Sequence, residues 1–168
     1  MELRHEELKL ANKELLPEVI QLLEEGHTVT LRLRGFSMRP FLEDNRDTAL
    51  ITRATNIHLY DPVLAEVMPG RYVLHRIVSI HDNKVILRGD GNLGTEECQL
   101  SDIKGSIIGF YRKGRKKIDR TDGWKWRIYS WFWVRLLLVR RYLLFAFHPH
   151  IPQRLYRMLY NKLKTIKR

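Results

Sequence analysis

Hydrophobic and polar positions change period twice along this chain. Over residues 6–25, Leu8, Ala11, Leu15, Val19, Leu22 and Leu23 recur at helical spacing with acids between them, which predicts an amphipathic helix. Pro17 predicts a break or restart inside it, and Gly26 reads as its C-cap. From Thr28 the period falls to two: Leu31 and Leu33 alternate with Arg32 and Arg34. Further strand-like runs occupy 48–52, 62–67, 72–80, 84–88 and 106–110, with Pro69-Gly70 and Asp82-Asn83 as turns. Short strands separated by turn residues predict a mainly β (α+β) chain built on an antiparallel, barrel-like β domain. After it the helical period returns, first in an aromatic-rich stretch over 124–147 and then over 151–168, where Leu155, Met158, Leu159 and Leu163 share one face. The organisation expected is an N-terminal helix (1–27), a β domain (28–111) and a basic helical tail (112–168).

Charge sharpens that division. Residues 1–110 hold 13 Lys+Arg and 17 Asp+Glu, whereas residues 111–168 hold 17 Lys+Arg and 2 acids, within an overall formal charge of +11. A mildly acidic domain with a strongly basic tail points to an anionic partner for the tail. The four tryptophans lie within 124–133. A bilayer span needs about 20 apolar residues. Arg135, Arg140 and Arg141 interrupt this stretch, at roughly 2.5–3.5 kcal/mol for each arginine at the membrane centre. A helix lying in the interface therefore fits better than a spanning one, and residues 124–168 are read as a membrane-surface element, with nucleic acid the least favoured partner. The N-terminus is charged and no apolar stretch follows it, so no signal peptide is expected. The location expected is peripheral to a membrane or cytoplasmic. The single cysteine, Cys98, excludes an internal disulfide, and no metal-ligand cluster or cofactor motif is read from the sequence.

The candidate chemistry starts at Arg34-Gly35-Phe36-Ser37-Met38-Arg39-Pro40. Gly35 and Pro40 bracket Ser37 at a strand end or tight turn that presents its hydroxyl outward. Downstream come Tyr72-Val73-Leu74-His75-Arg76-Ile77-Val78 and Ile86-Leu87-Arg88-Gly89-Asp90-Gly91-Asn92. Alternation on a strand puts His75 with Val73 and Ile77, on the face opposite Leu74 and Arg76, where its ring would be partly desolvated. The acids Asp47 and Asp61 fall in or beside turns and read as structural. His5, His27, His58 and His81 read as surface residues.

In order and separation these three segments resemble the serine, histidine and Gly-Asp boxes of the signal peptidase superfamily. The match is to the ER and archaeal type, in which histidine stands where bacterial enzymes have lysine, and the superfamily also includes LexA-type self-cleaving repressors. The resemblance covers about half the chain, residues 28–111. It implies a serine endopeptidase acting on signal or leader-type peptides without a cofactor, with small residues before the cleaved bond and the substrate bound as an added strand. It implies Ser37 as nucleophile and His75 as general base. For the orienting acid, Asp90 ranks first as the match to the Gly-Asp segment. Glu96 ranks second, being one of two glutamates (with Glu97) where ER-type enzymes place a further acid. The oxyanion donor expected is the Ser37 N–H with a neighbour. About 25 residues precede the β domain, too few for the DNA-binding domain of a repressor. The alternative reading is a non-catalytic peptide-binding module tethered by its basic tail.

Overall fold

The computed structural model describes residues 12–135. In chain order these form α1 (Asn12–Glu24), β1 (Val29–Arg32), β2 (Thr48–Thr52), β3 (Pro62–Met68), β4 (Arg71–His81), β5 (Lys84–Arg88), β6 (Glu96–Gln99), a short 3-10 turn (Leu100–Asp102), β7 (Ile103–Tyr111), β8 (Ile118–Arg120) and α2 (Trp124–Arg135). The strands join in the order β1-β2-β7-β3-β4-β5-β6, with β8 added to β7, and every pairing is antiparallel. The fold is therefore mainly β, as the alternation predicts. The sheet ends at β1 on one side and β6 on the other, so it is open rather than closed into a barrel. The start of the expected N-terminal helix and the helix expected over 151–168 lie outside the described residues.

Helix α1 runs unbroken through Pro17. The proline removes one backbone bond, but burial of Leu16, Val19 and Leu23 on one face holds the helix together. It ends at Gly26 as the sequence implies: Gly26 N–H donates to Leu23 O at 3.1 Å and His27 N–H to Leu22 O at 2.9 Å. The alternation of β1, β2, β5 and β7 appears as alternating burial. Two strands escape the sequence pattern. β6 reads Glu-Glu-Cys-Gln, and only Cys98 is buried in it. β8 lies inside the stretch 112–168 that was expected to be a basic helical tail.

Apolar side chains gather on both faces of the sheet. On one, α1 and Trp126 of α2 cover Leu33, Met38, Leu42, Ile51, Leu64, Ile107 and Phe110. On the other, Val63, Ala65, Ile77, Val85, Leu87, Cys98 and Ile103 pack together. Burial pushes the Cys98 thiol up to about 11, so it stays protonated and packs as a small apolar group.

The segment between β1 and β2, which carries Ser37, is closed at its base. Leu33 N–H donates to Asp47 O and Asn45 N–H to Leu33 O, both at 2.9 Å. Asp47, fully buried, accepts from Glu43 N–H and Lys113 N–H at 2.9 Å and from the Arg46 guanidinium at 2.8 Å. Burial alone would raise its carboxyl pKa, but these donors outweigh burial and hold it below the ordinary value. Asp47 therefore works as the structural acid that its turn position suggests. Its contribution is complete above the unfolded carboxylate value, about 3.9, and is lost as pH falls toward the lower folded value. Asp47→Asn should lower stability at pH 7 by about 2–3 kcal/mol, the scale of hydrogen bonds to a charged group, and by less near pH 3. Urea midpoints of both proteins at the two pH values check this.

Candidate active site

Alternation along β4 sends consecutive residues to opposite faces of the sheet, and the site is built on that fact. His75 points one way and Arg76 the other, and both are buried.

Ser37 sits in the closed segment after β1. Gly35, at φ 89°, makes the turn into it, and Gly35 N–H donates to Asp44 Oδ1 at 2.6 Å. The Ser37 carbonyl accepts from Gly91 N–H at 2.6 Å, which ties the segment to the loop after β5. That loop passes so close that side chains are excluded. A Cβ on Gly91 would collide with Phe36 O. A Cβ on Gly89 would collide with Ser37 O and come within 2.9 Å of both His75 Nε2 and Asn92 Nδ2. The Ser37 carbonyl, the His75 ring tip and the Asn92 amide thus converge around one point that only a glycine leaves open. Ser37, His75 and Asn92 line one cavity of about 250 Å³, with Arg34, Met38, Arg71 and Glu96 also in its wall.

The other ring nitrogen, His75 Nδ1, lies 2.7 Å from Glu96 Oε2. The two atoms are in ion-pair contact, but neither makes a hydrogen bond of good geometry, so the pair is close without being aligned. A carboxylate beside Nδ1 favours a proton there and leaves the lone pair on Nε2, the nitrogen that lies beside Gly89. Burial depresses the His75 pKa below its ordinary 6.5, against the pull of Glu96, so the ring is neutral at pH 7.

This corrects the ranking of the acids. Asp90, ranked first from the Gly-Asp segment, does not bond His75. It is buried on the other face in a bidentate pair with Arg76, at 2.9 Å from Nε and 2.7 Å from Nη2. Arg76 Nη1 donates to Tyr60 O and Ser130 Oγ, and its guanidinium carbon lies 4.5 Å from the Trp126 ring centroid. Tyr129 Oη donates to Asp90 Oδ2 at 3.2 Å and Trp133 Nε1 to Asp90 O at 3.1 Å. Asp90 thus anchors α2 and fixes the loop carrying Gly89 and Gly91. Glu96, ranked second, meets the histidine because β6 pairs beside β5 and brings its first residue to that place. Two further residues of the cavity had no role from the sequence. Asn92 stands in the quoted third box, which was a usable signal; Arg71 opens β4, and nothing in its surroundings marked it. Glu97 points away from this pairing, to Lys84 at 2.6 Å. His27, His58 and His81 are exposed as expected, and His5 lies outside the described residues. Among the described residues no group of His, Cys, Asp and Glu could hold a metal ion.

The two acids should fail differently. Asp90→Ala strands a buried guanidinium and should cost about 3–5 kcal/mol of stability. Glu96→Gln preserves shape at a half-buried position and should cost about 1 kcal/mol or less. Urea denaturation of both variants checks the contrast; equal losses would remove the distinction drawn between them.

No protein-family model matches this chain, and a search of curated proteins finds no significant match, so the residues and their geometry carry the functional assignment.

Proposed function

We propose that this protein is a serine endopeptidase in which Ser37 is the nucleophile, His75 the general base and Glu96 the orienting acid. The observation that supports it is that Ser37, His75 and Glu96 line one cavity, with 2.7 Å between His75 Nδ1 and the Glu96 carboxylate. His75 Nε2 takes the Ser37 hydroxyl proton as Oγ bonds to the substrate carbonyl carbon. The same proton then goes to the leaving amine nitrogen as the C–N bond breaks, and water repeats the sequence on the acyl-enzyme. The imidazolium formed in between is stabilised by Glu96. Asn92 brings an amide donor to the cavity where the oxyanion would develop.

The resemblance to signal peptidases adds the substrate class: extended signal or leader-type peptides with small residues before the cleaved bond. The first half of β4, residues 71–75, pairs with β3 but with no other strand among the described residues, so an extended peptide has a backbone edge to join beside His75.

Helix α2 supports work at an anionic membrane surface. Its Trp126, Tyr129, Ser130 and Trp133 face the domain, while Trp124, Ile128, Trp131 and Phe132 are exposed at helical spacing beside Lys125 and Arg135. Exposed aromatics with basic neighbours suit a headgroup layer, and residues 111–168 carry 17 Lys+Arg against 2 acids. No helix among the described residues is long and apolar enough to cross a membrane.

Incubation with a library of extended precursor-like peptides, read by mass spectrometry, tests the chemistry. Cleavage should vanish in Ser37→Ala and fall about 10²–10⁴-fold in His75→Gln, with folding intact. The acid limb of kcat/KM should lie below about pH 6.5, activity falling with pH because protonation removes the base. Cleavage that survives Ser37→Ala defeats the reading; a folded protein that binds such peptides without cutting them makes it a binding module. On vesicles, the full chain should sediment with phosphatidylserine-containing bilayers and not with neutral ones, and Trp131→Glu should weaken that binding. Equal binding to neutral vesicles would overturn the electrostatic part.

A further inference from the structure

The Glu96 carboxylate is shared. Its Oε2 meets His75 Nδ1 and its Oε1 meets Arg71 Nη2, each at 2.7 Å. Arg71 and His75 stand four residues apart on β4, so they lie on the same face, about 13 Å apart along the strand. Glu96, arriving from β6, fills the interval between them. Arg71 is more than half exposed, whereas His75 is buried, and both line the cavity that holds Ser37.

We infer that Arg71 is a positioning residue that acts on the histidine through Glu96, fixing the carboxylate and offsetting its charge at the base. This rests on the peptidase reading only for its consequence in turnover; the coupling itself is a property of the three side chains.

Arg71 bears on the histidine both sterically and by its charge. A carboxylate on a side chain as long as glutamate has rotamer freedom to lose, and one oxygen on a buried imidazole does not fix its plane. A guanidinium nitrogen on the second oxygen restrains it further and keeps Oε2 beside Nδ1. The second effect is electrostatic. A carboxylate on Nδ1 raises the basicity of the imidazole, and an uncompensated one would leave more of it protonated near neutrality. The positive charge of Arg71 opposes that, and it pulls in the same direction as burial on the His75 pKa. The other charges facing His75 are Asp90, in the loop after β5, and, around the cavity, Arg34 and Glu43. Asp90 is neutralised by Arg76 and Glu43 by Arg39. Arg71 is therefore the cation whose removal alters the balance at the ring most directly. Because it is exposed, its effect is open to salt.

The two effects separate in two substitutions. Arg71→Ala removes both the charge and the hydrogen bond to Glu96 Oε1. The acid limb of kcat/KM should move up by about half a pH unit. At the plateau kcat should fall about tenfold, the scale seen when the partner of a site ligand is lost, with KM little changed. Arg71→Lys keeps the charge but replaces the planar guanidinium with a shorter-reaching, freely rotating ammonium, so it should restore the limb while recovering only part of kcat. For the wild type, added NaCl should move the limb in the same direction as Arg71→Ala. A second readout does not need turnover: the His75 ring titration followed by NMR in Ser37→Ala and in Ser37→Ala/Arg71→Ala. The double variant should titrate about half a unit higher. If that shift appears while no peptide is cleaved by wild type, the coupling stands and the peptidase reading falls. If His75 titrates alike in both backgrounds, the inference is overturned. It is overturned equally if Arg71→Ala raises KM alone, with limb and kcat unmoved, since Arg71 would then contact substrate rather than tune the base.

Discussion

A fully buried guanidinium fixes more of this structure than any apolar contact. Taking Arg76 out of water is tolerable only when its charge and its donors are met at once. The partners come from three separated parts of the chain: Asp90 from the loop after β5, Tyr60 from the turn before β3, and Ser130 from α2, with Trp126 and Tyr129 stacked over the group. Desolvation disfavours the charge on Arg76, and Asp90 more than restores it. Satisfying one side chain therefore places a loop, a turn and a helix. The loop so placed is the one whose Gly89 and Gly91 press against Ser37 and His75. Order in the candidate site is inherited from an ion pair on the opposite face of the same strand.

That arrangement also explains why two acids close in sequence do different work. Each carboxylate has its own guanidinium. Asp90 is engaged by Arg76 with both oxygens and is buried, so it has nothing left to offer an imidazole. Glu96 gives one oxygen to an exposed arginine and keeps the other for His75. The difference between an acid sealed in a buried pair and one left beside an imidazole is here a difference in how many of its oxygens the neighbouring cation occupies. Burial follows the same division, with Asp90 sealed and Glu96 at the cavity wall.

Much of the fold was legible because it follows from period and turn chemistry. The run 48–52 is β2 to the residue, and Pro69-Gly70 and Asp82-Asn83 fall between the strands they were expected to join. The Gly26 cap is there with both of its bonds. Closure was not legible: an alternating pattern specifies which face is buried but not whether the last strand reaches the first. β6 was missed for a related reason. A strand with one inward residue out of four has no alternation to detect, and Glu96 rides on it. The candidate serine and histidine came from the resemblance of their segments to the family's boxes, since turn and strand chemistry alone describes many ordinary serines and histidines. That Glu96 rather than Asp90 lies beside His75 was not legible, because the contact depends on which strands pair, not on distance along the chain. Arg71 was invisible for the same reason, its only signal being a carboxylate 25 residues away.

The basic tail, as far as the described residues show it, is not an appendage. Trp126 belongs to the core with Phe110 and Leu64, and β8 extends the sheet before α2 begins. A helix with one face spent in this way can carry only its outer face to another surface. The outer face of α2 is aromatic and basic, while the inner face holds Arg76 and Asp90 in place. Any force applied to α2 from outside therefore meets the same ion pair that orders the Gly89–Gly91 loop. The boundary between the part that positions the site and the part that could deliver it to a surface runs along the length of one helix, between its two faces, rather than at a point in the sequence.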